Sequence, residues 1–405
     1  MAYGVRMHQP HKFAMALLAV VCAVGAFHGC ATSSPPPTEP PVVAGPSAEE
    51  FAREQERQRV AQEQARRRAA LVDERRSVDT EISLPVKNVY GKEAPDYETV
   101  DILYATDRAS TGKDNATLLY GPDRGPLQMG LYAVAMPREL RRDPLSFRAV
   151  IRSKSPEEFW INLQDRLTVA KRKDILVFVH GYYVTFDEAA RRTAQVAYAL
   201  GFPGVAITYS WPSQGALTGY LADETNIEWT VPHFREFLKR VATQSGAERV
   251  HVIAHSMGNR AVTSALRQLA ADPQKPGAPL IQDLVLIAPD MDADIFRDAI
   301  PEIRPVVSRV TLYTSSQDKA LLISKTVHGY QRAGDTKPAI VVVPGVDTID
   351  ASSVDTSLTG HSYYSDSRSV LVDLFSLLRH GAPPDERFGL LAKEQAGLRY
   401  WTFQP

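Results

Sequence analysis

The sequence predicts an α/β fold, a mostly parallel sheet with helices on both faces. Two observations carry this. From about residue 174 onward, short apolar, β-branched runs alternate with amphipathic helical patterns, as expected for strands joined by crossover helices. One strand-to-helix junction also holds the pentapeptide Ala254-His255-Ser256-Met257-Gly258. Upstream of it, Arg249 to Ala254 is a buried-strand pattern; downstream, Ala261, Val262, Ala265, Leu266 and Leu269 recur at helical spacing until Asp272-Pro273.

Taken in order, strand patterns come first at Thr99–Ala105 and Gly130–Met136. A strand at Asp174–Val179 precedes a helix at 186–200, and a strand at 204–210 precedes a helix around 233–244. The junction strand and its helix follow, then a strand at 283–288. A strand at 309–315 leads to a helix from Asp318 to about Tyr330, with a last strand at Ala339–Val343 and a last helix at 366–378. Residues after Pro383 read as a loosely packed tail. The domain boundaries expected are thus 86–383 for the globular domain and 384–405 for the tail.

A small-x-Ser-x-Gly pentapeptide between a strand and a helix is the nucleophile elbow of an α/β-hydrolase fold. The turn is so tight that only small residues fit two places before and after the serine. Ala254 stands where glycine is commoner and is still small. A serine hydroxyl needs a general base, and the base needs an orienting carboxylate. In this fold they follow the nucleophile in the order acid, then histidine. Three histidines follow Ser256: His328, within a predicted helix, His380, near a helix end, and His361. His361 lies in a loop between the last strand and the last helix, where the fold delivers its base. Two carboxylates compete for the acid. Asp318 follows the penultimate strand and leads; Asp290, in Ala288-Pro289-Asp290, follows the strand before it. Asp318 would also serve as a helix N-cap. The oxyanion hole should use the backbone N–H of Met257 and that of Tyr182, in His180-Gly181-Tyr182-Tyr183 after the strand at 174–179. His180 reads as a brace for that loop rather than a catalyst.

These segments resemble a bacterial family of α/β-hydrolase-fold proteins of unknown function, described as predicted esterase/lipase-superfamily enzymes. The resemblance runs from about Val100 to Leu378. It rests on Tyr104-Ala105-Thr106-Asp107-Arg108, Val179-His180-Gly181-Tyr182, Thr208-Tyr209-Ser210-Trp211-Pro212, Ala254 to Arg260, Ala288-Pro289-Asp290 and Gly360-His361-Ser362-Tyr363. It implies serine-hydrolase chemistry and leaves the substrate open. The chain departs from the pattern at Tyr183, where a polar residue such as Asn is expected.

Only about twenty residues separate Asp290 from Arg309, too few for a large cap domain. The longer excursion, Trp211 to Pro232, carries Trp211, Tyr220 and Trp229, and with Tyr182, Tyr183, Tyr363 and Tyr364 it could wall an aromatic substrate cleft or simply fill core and rim. The expected partner is a small-molecule ester or acyl substrate. Other acyl donors (peptide, amide, thioester, or a transferase acceptor) and a scaffold without turnover stay open. The chain has 405 residues, 44% hydrophobic, with a net charge of −1, which gives no basic excess for nucleic acid. There is no metal-spaced His/Asp cluster, zinc-protease helix or phosphate-binding glycine loop, so no metal and no cofactor is expected.

The amino terminus reads as a processing signal. Arg6, His11 and Lys12 precede an apolar run from Phe13 to Phe27, which ends at Gly29-Cys30-Ala31. Residues 1–29 resemble a bacterial lipoprotein signal, with Cys30 as the lipidated first residue; ordinary signal cleavage and an uncleaved anchor are the alternatives. A Pro-rich tether at 30–46 and a charged helical spacer at 47–85 follow. Without a sustained apolar seam, a solvated helix is favoured over a coiled coil. Some 30 helical residues would span about 45 Å. Cys22 and Cys30 are the only cysteines, so the domain beyond the leader needs no disulfide and holds no thiol nucleophile. Lipidation is the expected outcome: the intact mass of membrane-extracted protein should begin at Cys30 and include lipid. An unmodified Cys30, or cleavage elsewhere, refutes it. With Ala31 beside Cys30, the lipoprotein pattern implies the outer membrane.

Overall fold

Every side chain of β4 (Asp174–Val179) is buried, and alternate ones face opposite layers. Ile175, Val177 and Val179 join one core, while Leu176 and Phe178 join another. The same sorting recurs in β6 (Arg249–His255) and β7 (Ile281–Ile287), where Val252 and Leu284 face the first layer and Ile253 and Val285 the second. Strands buried on both faces read as continuous apolar runs, which is why these three were legible as strands.

The computed structural model describes residues 55–59, 62, 97–113, 115–137, 146–153, 155–274, 277–354 and 367–404. The chain forms two units, 1–62 and 63–405. In the first, residues 55–59 are helical and Arg59 pairs with Glu56 at 2.7 Å. The leader, the tether, Cys30 and most of the spacer lie outside the described residues.

In the second unit the remaining strands are β1 (Tyr97–Ser110), β2 (Tyr120–Pro137), β3 (Ser146–Arg152), β5 (Val205–Ser210), β8 (Val307–Thr314), β9 (Val346–Asp350), β10 (Leu390–Gln395) and β11 (Leu398–Phe403). All the described strands form one sheet in the order β10-β11-β9-β8-β7-β6-β4-β5-β1-β2-β3. Every pairing from β11 across to β1 is parallel; β2, β3 and β10 add antiparallel edges. The helices are α1 (Pro156–Val169), α2 (Phe186–Ala199), α3 (Tyr220–Gln244), α4 (Gly258–Ala271), α5 (Ala293–Ile303), α6 (Lys319–His328) and α7 (Arg368–His380). Phe159 of α1, Phe234 of α3, Leu266 of α4 and Phe296 of α5 cover one face, and Val196 of α2 and Leu374 of α7 the other. This is the α/β-hydrolase fold expected, a mostly parallel sheet between helices. Between Asp290 and β8 the chain spends its residues on α5 and a single 3-10 turn, so no cap domain is inserted there.

Several elements differ from the sequence expectation. Ala339–Val343 is not a strand. Pro338 and Pro344 bracket it and lack N–H donors, and Thr348 Oγ1 donates to the Val341 carbonyl at 3.1 Å, folding the segment across β9. The Trp211–Pro232 excursion is largely helix: α3 starts at Tyr220 and runs through Pro232, because Ile227, Val231, Phe234, Leu238 and Val241 form one buried stripe. The tail after Pro383 is built into the sheet. β11 pairs with β9 through Trp401 and Ile349, and Arg387, 3% exposed, reaches Asp373 at 3.2 Å and Asp347 at 3.3 Å. Finally, β3 and α1 were not anticipated, although α1 carries a Ser155 cap that accepts the Glu158 N–H at 3.3 Å.

At the amino ends of the central strands lies a buried charge cluster. His251 Nδ1 donates to Asp283 at 2.8 Å, and its Nε2 faces Asp174 at 3.9 Å. Asp174 also pairs with Arg172 and Arg249, and the Phe202 ring packs edge-on against His251. Burial disfavours the imidazolium, but hydrogen bonds to Asp174 and Asp283 outweigh it and raise the His251 pKa. A raised folded-state pKa gives stability that is present in full below the unfolded value and lost as pH rises through the folded value. His251→Gln should therefore lower the melting temperature most below about pH 6.5. The gap to the wild type should shrink at higher pH, and a melting series from pH 5 to 9 checks it. A gap that widened with pH would contradict a protonated His251.

Candidate active site

β6 ends at His255 and α4 begins at Gly258, so Ser256 sits in the turn between them with φ +52°. A left-handed conformation for a residue other than glycine costs roughly 1–3 kcal/mol and persists only where the surroundings impose it. Here they do. The Ser256 N–H donates to the Ile287 carbonyl at 3.0 Å. The Ser256 carbonyl accepts from Asn259 Nδ2 at 2.8 Å and from the Asp290 N–H at 3.3 Å. Asn259 Nδ2 also reaches the Ile287 carbonyl at 3.2 Å, tying the turn to the end of β7.

The loop after β4 closes onto this turn. A Cβ on Gly181 would stand 2.6 Å from the Ser256 Cβ, and one on Gly258 would stand 2.3 Å from the His180 carbonyl oxygen. Neither position tolerates a side chain. Met257, buried, is the N-cap residue of α4, where the helix dipole favours negative charge. The Tyr182 ring packs edge-on against Tyr220 at 5.1 Å, and its hydroxyl donates to the carbonyls of Ala216, at 3.3 Å, and Leu217. Tyr183, at φ +61°, is 48% exposed beside the turn.

Behind the loop, Trp211 is fully buried and not a cleft wall, which corrects the sequence expectation. Its ring stacks on His180 at 5.0 Å and its Nε1–H donates to the His180 carbonyl at 2.7 Å. The residue before it, Ser210, ends β5, so the indole has nowhere to go but under the loop. Burial, and then the charge of Arg108, push the His180 pKa down to about 3, so this imidazole is neutral.

The two candidate acids have different surroundings. Asp290, 3% exposed, accepts the Tyr220 hydroxyl at 2.6 Å on Oδ2 and the Ser324 hydroxyl on Oδ1. Oδ1 also pairs with Arg332 at 3.2 Å and Arg260 at 3.6 Å. Burial acts to raise the Asp290 pKa, but Arg260, the two hydroxyls and Arg332 outweigh it and hold it below the ordinary carboxylate value. Asp290 is thus occupied by partners on α3, α4 and α6. Asp318 is 1% exposed and follows β8, two strands along the sheet from β6. Its Oδ1 caps α6 by accepting the Leu321 N–H at 3.0 Å. His361 and Tyr363 lie outside the described residues, in the segment between β9 and α7.

A cleft of about 500 Å³ runs along α4 between α3 and α5, lined by Glu224, Arg260, Met291, Ile295 and Tyr330 among others; Ser256 is not among its lining residues. Among the described residues, no group of three or more His, Cys, Asp or Glu is placed to hold a metal ion. Sequence reasoning considered Tyr220 only as a cleft aromatic, not as the partner of Asp290 that it is, and assigned no site role to Ser324, Arg260 or Arg332. Arg260 alone had a visible cue, as the residue following the elbow glycine and Asn259.

Comparison with known proteins agrees with this architecture. A family described as alpha/beta hydrolase of unknown function (DUF900) matches residues 155–379. An uncharacterized protein of Nostoc sp. is 33% identical over 63 residues, so the match spans 16% of this chain and 16% of that protein. Among solved structures, esterase B from Lactobacillus rhamnosis is 11% identical, with 82% of this chain and 95% of that chain covered and a TM-score of 0.33. A cold-adapted esterase from an Arctic intertidal metagenomic library is 12% identical over 70% of this chain and 95% of its own, also at 0.33. Mouse alpha/beta hydrolase domain-containing protein 10 is 15% identical over 51% and 88%, at 0.29. At such values the fold assignment rests on the strand order and the family match. With that match spanning more than half of its length, the chain belongs to the DUF900 family of alpha/beta hydrolases of unknown function.

Proposed function

We propose that this alpha/beta hydrolase is a serine hydrolase of the cell envelope acting on carboxylic esters. One observation carries the reading: a serine in a strained strand-to-helix turn, with a glycine loop pressed against it at van der Waals limits. In this reading Ser256 Oγ attacks the ester carbonyl while His361 takes its proton. Asp318 orients the imidazole and stabilises the imidazolium. The backbone N–H groups of Tyr182 and Met257 receive the developing oxyanion. Collapse of the tetrahedral adduct expels the alcohol, which takes the proton back from His361. Water, deprotonated by the same base, then releases the acid and restores Ser256. Asp318 is favoured over Asp290 because Asp290 is already bound by two arginines and two hydroxyls.

The signal-like amino terminus and Cys30 support attachment to a membrane through lipid, with the outer membrane as the proposed location. The substrate side is lined by Tyr183 at the mouth, and Tyr363 is the other aromatic proposed there.

Ser256→Ala should abolish labelling by a fluorophosphonate probe and hydrolysis of p-nitrophenyl acetate at an unchanged melting temperature. Wild-type turnover in that variant would falsify the assignment. A panel of esters, amides and thioesters then tests the ester preference, which fails if amides or thioesters turn over faster.

Asp318→Asn and Asp290→Asn should part in opposite ways. Asn caps a helix about as well as Asp, so the Asp318 variant should keep its melting temperature and lose about two to four orders of magnitude in kcat. Asp290→Asn leaves Arg332 buried without its carboxylate, a change that costs about 3–5 kcal/mol when a buried pair is broken. That variant should melt lower while its folded fraction keeps activity within several-fold of wild type. Thermal melts with kcat per folded molecule check both, and the reverse pattern moves the acid to Asp290.

A further inference from the structure

The loop facing Ser256 is held from behind by a chain of buried polar side chains. His180 Nδ1 lies 2.8 Å from the Gly181 carbonyl oxygen. A carbonyl only accepts, so the proton of the neutral imidazole is on Nδ1 and Nε2 is a bare lone pair. That lone pair faces the Ser210 hydroxyl at 3.2 Å and Arg108 Nη2 at 3.5 Å. Arg108 is 1% exposed and donates its Nε–H to Ser210 Oγ at 2.9 Å, which leaves the Ser210 proton to point at His180. The rest of the guanidinium is spent on carbonyls: Nη1 on Gly121 at 3.2 Å and Ser213 at 2.9 Å, Nη2 on Val184 at 2.7 Å. Arg108 can only donate to Nε2, and Ser210 Oγ, already accepting from Arg108, is placed to donate to it as well.

This arrangement sets a peptide plane. The only cis peptide among the described residues is Lys337-Pro338, so the Gly181–Tyr182 peptide is trans and its C=O and N–H point in opposite directions. Fixing the Gly181 oxygen on the imidazole sends the Tyr182 N–H the other way. The preceding peptide is fixed likewise, its His180 oxygen held by the Trp211 indole. Further along, Val184 is held at both ends, its N–H on Ser213 Oγ at 3.3 Å and its oxygen on Arg108. The loop's polar atoms are therefore tied by His180, Trp211, Ser213 and Arg108, none of which belongs to the Ser256 turn.

We propose that His180 is a positioning residue: its Nδ1–H, set by the Arg108–Ser210 pair, holds the Gly181–Tyr182 peptide so that the Tyr182 N–H is presented as an oxyanion donor at Ser256. This rests on the serine-hydrolase reading. It assigns the Thr106-Asp107-Arg108 segment a task as well. Arg108 does not touch substrate; it selects the tautomer of the residue that aims the donor. A preformed donor of this kind costs no reorganisation when the oxyanion develops.

The test compares His180→Leu, which removes the donor, with His180→Asn, whose side-chain amide can place an N–H near the position of Nδ1. Hydrolysis of p-nitrophenyl esters is measured per folded molecule, with the Ki of a boronic acid as a mimic of the tetrahedral adduct. His180→Leu should lose about 10²–10³ in kcat with KM within about threefold, and the boronic acid Ki should rise in parallel; His180→Asn should recover most of the loss. A ¹⁵N-histidine NMR spectrum of the wild type should show His180 protonated on Nδ1 and bare at Nε2 from pH 5 to 9, whether or not the protein turns over. If His180→Leu does not fold, Ser210→Ala serves instead, and should loosen the tautomer preference and lower kcat about tenfold. An Nε2-protonated or titrating His180 overturns the proposal. So does a variant whose kcat falls without a matching rise in the boronic acid Ki. A wild type that neither hydrolyses esters nor labels at Ser256 refutes the hydrolase reading instead, and the NMR result still reports on the imidazole.

Discussion

The contact on which the rest of the site depends is backbone against backbone, where the His180-Gly181 loop meets the turn at Ser256. There is no space for a Cβ at Gly181 or Gly258. Two segments more than 70 residues apart in sequence are thereby held at a separation set by main-chain atoms rather than by adjustable side chains. Side-chain packing tolerates small repacking, whereas a main-chain contact at its van der Waals limit does not. The strain at Ser256 follows from the same geometry. The turn must lift the serine off β6 while its own carbonyl stays bonded to Asn259 and to the Asp290 N–H.

Asp290 serves the same end from the other side. Its backbone is bonded to the elbow, and its carboxylate gathers Tyr220 from α3, Arg260 from α4, Ser324 from α6 and Arg332. Arg260 extends the net by donating to Glu224 at 2.6 Å, and Glu224 also meets His328 at 2.7 Å. Three helices whose ends surround the elbow are thus cross-linked through one buried charge. Each oxygen of that charge is satisfied, and breaking such a buried pair is costly because it leaves a charge uncompensated.

What was legible in the sequence follows from where the information was local. The central strands and the elbow announced themselves because burial on both faces leaves long apolar runs, and because the tight turn demands small residues at fixed places. α3 was read short because Pro232 suggests a break and because Asp223, Asn226 and Thr230 interrupt its buried face with polar groups. Two of those groups have partners outside the helix: Asp223 accepts from Ser213 at 2.6 Å, and Asn226 donates to Pro212 and accepts from Arg124. Trp211 was misplaced for the same reason, since its partner is the His180 carbonyl, thirty-one positions earlier. The Asp290 network could not be read at all, because its members come from four separate segments. Ser155-Pro156-Glu157-Glu158, by contrast, is a local start signal for α1 that the sequence did display.

The β10–β11 hairpin has a bearing on solubility. Without it, β9 would end the sheet, and its unpaired N–H and C=O groups at Ile349 and Asp350 would offer a ready template for another chain. β11 takes that place in parallel register, and β10 then turns back antiparallel with Leu391, Ala392, Lys393 and Glu394 exposed. A short outer strand carrying a lysine and a glutamate is a poor surface for further strand addition. The hairpin thus covers the carboxyl end of β9 and blocks edge-to-edge association there.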